Sequence, residues 1–208
     1  MALTAVQRLV SNAPALPVVG QPVYYADTQT GAIARAQGGG TFHRALAAEH
    51  PDPDVWPELA KFNDDPNFPG VPNPIAIWGP STASGQTYWF ATKSGSVPTS
   101  ATPEILITLT AFCDNAIEAQ YFIYDFNNTL AVTGTLLTDG VFDADAGTTT
   151  DRYPPYNWQK VRFYSNLVTT GLTAGAYYIV FTFHGMNYNV AYGPNPAGLA
   201  FVADVYSG

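Results

Sequence analysis

From residue 75 onward, short apolar runs alternate with clusters of Gly, Pro, Asn and Asp. The runs Ile75–Trp78, Thr87–Thr92, Glu104–Phe112, Glu118–Asp125, Thr129–Leu136, Trp158–Leu167, Ala176–His184 and Ala200–Tyr206 are rich in β-branched and aromatic residues. Bounded as they are by turn formers, they predict strands. Along Glu104–Phe112 the residues Ile105, Ile107 and Leu109 fall on one face and Leu106, Thr108 and Thr110 on the other, which is the period of a strand. The run from Ala176 to His184 is apolar on both faces for most of its length, which suits a strand at the centre of a core. No helical segment separates these strands, so the pattern predicts an all-β sandwich or jelly roll.

Residues 1–73 read differently. Leu3 to Leu9 is compatible with a short helix, and Ser11 to Pro17 is a stiff, proline-bounded extension. Pro22 to Ala26 reads as a strand that Asp27-Thr28-Gln29-Thr30-Gly31 turns back into a hairpin over Ala32–Arg35. Gly38-Gly39-Gly40 is a flexible break without the following Lys-Ser/Thr of a phosphate cradle. Thr41 caps a helix expected over Phe42 to His50, and a helical turn is expected over Pro57 to Phe62. The proline-rich stretch from Asn63 to Pro74 marks a boundary. The expected organisation is therefore an N-terminal arm with short helices over 1–73, which anchors the chain to neighbours, and a β-sandwich over 74–208.

Composition narrows the function classes. The chain has 208 residues, 47% hydrophobic and 14% aromatic, enough for one sizeable core. No apolar stretch reaches membrane-spanning length. Only 12% of residues are charged and the formal net charge is −8. The eight Lys and Arg are scattered, which excludes a phosphate-backbone interface, so no nucleic-acid partner is expected. So little charge leaves a surface of Tyr, Asn, Thr, Gly and Ala, and a solitary soluble monomer ordinarily carries more. Cys113 is the only cysteine, so no internal disulfide forms, and its place at a strand end reads as a buried thiol. The opening residues lack the apolar core of a signal peptide, which points to synthesis in a cytoplasm or to a leader already removed.

Five segments carry a family resemblance, in this order: Trp89-Phe90, Asp114-Asn115, Trp158, the turn Leu172-Thr173-Ala174-Gly175, and Asn195-Pro196-Ala197-Gly198-Leu199. They resemble the galactose-binding-domain-like jelly rolls over about residues 75 to 206. The resemblance implies that fold for the body. A weaker likeness joins Pro14-Ala15-Leu16-Pro17 and the strand around Val23 to bacteriophage virion decoration and fibre proteins.

Candidate chemistry is sparse. Asp143, Asp145 and Asp151, in the loop before Trp158, offer oxygen ligands for Ca2+, although the spacing is not an EF-hand; no other cofactor is expected. Asp114 and Asn115 read as Asx residues that turn the chain. The three His, at 43, 50 and 184, stand in no G-x-S-x-G or H-E-x-x-H context. Glu104 and Glu118 are the only Glu of the body and occupy no evident cleft. No enzyme is expected. Tyr153, Tyr156, Trp158, Tyr188 and Tyr192 lie in or beside two long loops that a jelly roll gathers at one end, and they are the candidate ligand or partner contacts.

These observations lead to an expected non-enzymatic structural subunit of a large assembly, a bacteriophage virion protein of the head-decoration or fibre kind. Its partners would be copies of itself, other subunits and surface glycans, with no membrane insertion. Two alternatives stand beside it: a carbohydrate-binding module or lectin-like adhesin, and a bacterial surface or spore filament subunit that assembles by strand addition through its arm.

Overall fold

The computed structural model describes residues 2–13, 21–41, 43–49, 56–143, 156–190 and 195–208. In chain order the elements are Thr4–Val10 (β1), Tyr24–Ala26 (β2), Gln29–Ala36 (α1), Leu46–Ala47 (β3), Ile77–Trp78 (β4), Thr87–Lys93 (β5), Val97–Thr99 (β6), Ile105–Asp114 (β7), Ala116–Asp125 (β8), Leu130–Asp139 (β9), Arg162–Val168 (β10), Gly175–Met186 (β11) and Gly198–Ser207 (β12). Each of the eight runs expected after residue 75 contains a strand.

The strands form two antiparallel sheets. Sheet A runs β10-β7-β12-β4-β3, with β1 on β12 beside β4. Sheet B runs β2-β5-β11-β8-β9, with β6 on β11 beside β5. Let the body strands β4, β5, β7, β8, β9, β10, β11 and β12 be numbered one to eight. Sheet A then reads 1-8-3-6 and sheet B 2-7-4-5, the interleaved double Greek key of a jelly roll. The fold is an all-β jelly-roll sandwich.

Period-two alternation explains the two layers. Ile105, Ile107, Leu109 and Ala111 of β7 turn inward toward Ile117, Ala119, Tyr121 and Ile123 of β8, and all are buried in one cluster. The run that is apolar on both faces is β11, the centre of sheet B. Phe181 and Phe183 face sheet A, where the Phe183 ring stacks on Phe201 of β12 at 4.2 Å. Tyr178 and Val180 face outward and are covered by α1 through Ala32 and Ile33. A buried residue on both sides of a strand requires a layer on both sides.

The N-terminal segment departs from its expected form. Thr4–Val10 is a strand, not a helix, because its partner is β12. Its register sets Arg8 against Asp204 and Val10 against Val202, and Leu9 enters the core. The hairpin expected over residues 22–35 is replaced by α1, since Thr28 caps the helix by accepting the Gly31 N–H at 3.2 Å. The described part of the helix expected over 42–50 is extended, with Arg44 bridged to Tyr24 and Leu46–Ala47 paired to β4. The expected turn at 57–62 is a 3-10 turn over Leu59–Phe62. Val23 and Ala45 join Leu9 in the main core. The segment before residue 74, expected as an anchoring arm, thus contributes in its described part to the sandwich of its own chain.

Residues 56–74, which include the proline-rich stretch, lie across the outer face of sheet A as a strap. Leu59 packs with Trp56, Phe112 and Ala200, Phe62 meets Phe163 edge to face at 5.1 Å, and Phe68 meets Tyr206 likewise at 5.6 Å. Arg8 pins it from below, reaching Asn63 and Asp65 at 3.4 Å each.

Candidate functional site

The aromatic residues expected at a ligand rim divide into three groups. Tyr156, which precedes the 3-10 turn Asn157–Gln159, and Trp158 within it stack on each other, centroids 4.9 Å apart and planes 5° from parallel. Both are half-buried, and Trp158 also packs against the Trp56–Phe112 cluster. Tyr188 is 1% exposed. Its hydroxyl accepts the Val141 N–H at 2.8 Å and its own N–H donates to Asn115 Oδ1 at 2.7 Å. It is a clamp between two loops and has no face to offer a ligand; the loop composition that suggested a rim gives no signal of such burial. Tyr153 and Tyr192 lie outside the described residues.

The acidic loop is described only in part. Asp143 is exposed, and Asp145 and Asp151 lie outside the described residues. Among the described residues no group of three or more His, Cys, Asp or Glu is placed to hold a metal ion. Asp114 and Asn115 act on protein groups: Asp114 Oδ2 accepts the Trp56 indole N–H at 3.1 Å, and Asn115 holds Tyr188.

Cys113 is fully buried, and that desolvation pushes its thiol above its ordinary pKa. Glu104 precedes the first residue of β7 and Glu118 lies beyond its last. Glu118 is the third residue of β8, which starts at the far end of β7, so roughly 20 Å along the strands separates the two carboxylates, far more than the gap between two that flank a glycosidic bond. His184 sits on the outer face of sheet B between two parallel rings, Trp89 at 4.2 Å and Phe142 at 4.3 Å. Its Nε2 lies 2.5 Å from Thr87 Oγ1, and burial lowers its pKa from 6.5 to about 4. An imidazole so enclosed is a neutral packing element. Beside it Gln29 donates to Gln120 Oε1 at 2.8 Å and to Thr182 Oγ1 at 3.1 Å, and Gln120 in turn donates to Glu118. This amide chain was invisible in sequence because α1 and two strands, β8 and β11, supply its members.

One feature without an internal use among the described residues is an edge. Among the described residues β10 closes sheet A and pairs with β7 alone. Arg162, Tyr164 and Asn166 alternate with Phe163, Ser165 and Leu167. Two of the first set reach sheet B, Arg162 to Asp139 Oδ2 at 2.6 Å and Asn166 to Tyr121 Oη at 2.7 Å. The second set lies on the outer face, where Phe163 is 62% and Leu167 49% exposed. Phe126, Leu130 and Val190 are further large apolar residues left in water.

No protein-family model matches this sequence, and no curated protein matches it. Solved structures with a similar arrangement include the enzymatically active domain of tailspike protein 4 of bacteriophage CBA120, at 13% identity and a TM-score of 0.38, over 70% of this chain and 17% of that one. TmCBM61 in complex with beta-1,4-galactotriose is similar at 9% identity and 0.36, over 99% and 90% of the two chains. The VP2 subviral particle of infectious bursal disease virus is similar at 12% and 0.35, over 98% and 57%. The chain spans less than two thirds of the tailspike and VP2 chains. The jelly-roll assignment itself rests on the strand order of the two sheets.

Proposed function

We propose that this chain is a non-enzymatic structural subunit of a large assembly. The observation that carries the proposal is the β10 edge, unpaired among the described residues, whose outer face presents Phe163 and Leu167 to water on a protein with only 12% charged residues. Exposed apolar side chains beside a free sheet edge are what a monomer avoids and what a subunit interface uses. The lack of a paired nucleophile and base among the described residues favours a structural role. In keeping with the likeness of its opening segment to decoration and fibre proteins, the particle we propose is a virion.

The test is the mass of the purified full chain by light scattering over a wide concentration range, with electron microscopy of the product. Discrete oligomers, rings or particles are expected, and a monodisperse monomer throughout overturns the reading. Truncation at residue 73 is no test, because β1, β2, α1 and β3 belong to the sandwich.

A second reading, carbohydrate binding, is favoured by the half-buried Tyr156–Trp158 stack. Flat paired rings at a turn are a platform for a sugar face. Retention on a glycan array that is lost in Trp158→Ala supports it, and no retention by the wild type removes it.

A further inference from the structure

We propose that β10 is a self-association seam: two copies of the chain pair β10 with β10 in antiparallel fashion, about a two-fold axis at Ser165. This deepens the assembly reading above and rests on it, by naming the surface and the partner.

The backbone of β10 is prepared for such pairing. Its register with β7 runs without interruption from Arg162 opposite Ala111 to Val168 opposite Ile105. The other long edge strand, β9, shifts register against β8 twice, between Ala119 and Gln120 and again between Ile123 and Tyr124. Bulges, prolines and charges are the devices that keep sheet edges apart. β9 has two such irregularities, whereas Phe163 to Val168 contains no bulge, proline or charged residue. Among the described residues no strand lies on the outer edge of β10, so half of its backbone donors and acceptors face outward. A second strand satisfies them in a ladder.

The side chains identify that strand as another copy. A two-fold axis at Ser165 sets Phe163 opposite Leu167 of the second copy, and Leu167 opposite its Phe163. These are the two exposed apolar residues of the strand's outer face. Tyr164 falls opposite Asn166 on the inner face, again reciprocally. From Phe163 to Leu167 each residue thereby finds a suitable cross-strand neighbour from the same sequence, which is what an isologous contact requires. Charge does not oppose the contact locally. Although each copy carries a formal net charge of −8, the only charged residue of β10 is Arg162, already paired to Asp139 at 2.6 Å. Phe62, edge to face on Phe163, widens the apolar surface from the strap side. Sheet A of the two copies would run on as one sheet.

Cysteine cross-linking of the full chain tests the geometry, because Cys113 is fully buried and silent. Ser165→Cys places two thiols opposite each other, within reach of a disulfide. Under mild oxidation it is expected to give a covalent dimer of the 22.3 kDa chain. Ser96→Cys, at an exposed position in the loop between β5 and β6, serves as the collisional control and is expected to remain monomeric. Sedimentation tests the energetics. Leu167→Lys and Phe163→Lys, both exposed and each checked for native circular dichroism, are expected to weaken association by about tenfold or more. High salt is expected to strengthen wild-type association by screening the net charge.

The seam is overturned if Ser165→Cys cross-links no faster than Ser96→Cys, or if both lysine variants sediment as the wild type does. A wild-type oligomer that the lysine variants leave intact overturns the seam and leaves the assembly reading standing. A wild-type monomer under all conditions overturns both.

Discussion

The phenol of Tyr121 occupies the place where a side chain at Gly134 would stand. A Cβ built on Gly134 would meet Tyr121 Oη at 2.6 Å and its ring carbons at 2.7 Å. Tyr121 leaves β8 in sheet B, passes beneath β9 at this glycine, and accepts a hydrogen bond from Asn166 Nδ2 of β10 at 2.7 Å. One side chain thereby ties the two edge strands at the open side of the sandwich. The glycine that interrupts β9 is a crossing point rather than a weakness.

Gly134→Ala should therefore destabilise the fold by overpacking, by about 1–3 kcal/mol. Tyr121→Phe keeps the ring and loses only the hydrogen bond, at about 1 kcal/mol. Urea denaturation measures both. A Gly134→Ala variant as stable as the wild type would mean that Tyr121 yields without cost.

Arg8 and Asp204 make a two-pronged ion pair between β1 and β12, with Nε to Oδ1 at 2.6 Å and Nη2 to Oδ2 at 2.8 Å, and both residues are buried. The guanidinium also lies 4.8 Å from the Phe68 ring centroid, beneath the strap. Asp204→Ala leaves the buried guanidinium with only its longer 3.4 Å contact to Asp65 among the described carboxylates, so it should cost about 3 kcal/mol. Arg8→Lys should lose much of this as well, since an ammonium cannot reproduce the fork. Equilibrium unfolding of the two single variants and the double variant gives the coupling. Additive losses would show that the pair contributes nothing beyond its separate packing.

The eight body strands were legible because each is a short β-branched or aromatic run bounded by Gly, Pro or Asn, and both layers are buried by period-two alternation. Their order was carried by a resemblance rather than by periodicity. The N-terminal elements were illegible for a physical reason. Thr4–Val10 has no strong period of its own, and its conformation is set by Asp204, which lies 196 residues away in sequence. Likewise, Thr28 can open a turn or cap a helix, and the outward-facing Tyr178 and Val180, which α1 covers, decide between them. Tyr188 illustrates the limit for sites. A tyrosine in an Asn- and Gly-rich loop has the same local sequence whether its ring faces water or is buried beneath Val141.

His184 gives the fold a pH dependence. Burial between Trp89 and Phe142 lowers its pKa from 6.5 to about 4. Between those values the unfolded chain binds the proton and the folded chain does not, so stability falls as pH falls from about 6.5 to about 4. The loss is of order 2 kcal/mol, after discounting for the partly accessible ring. His184→Phe keeps a stacked ring without the titration and should lose less stability over the same range. An imidazole C–H resonance of His184 that titrates near 6.5 would refute the assignment.

Cys113 offers a readout of global opening. It lies at the inward side of β7 near its end, where a Cβ on Gly185 would meet its Sγ at 3.2 Å, and it is fully buried. Burial raises the thiol pKa, so the reactive thiolate is scarce even where a reagent reaches it. Labelling by a thiol reagent should therefore require unfolding of sheet A, because Cys113 pairs opposite Leu199 at its centre. At moderate reagent concentration the labelling rate should follow the unfolding free energy. It should rise in Asp204→Ala and Gly134→Ala in proportion to their losses of stability. Rapid labelling of the wild type, or rates that ignore those two substitutions, would show that the β7 end opens locally and independently of the sandwich.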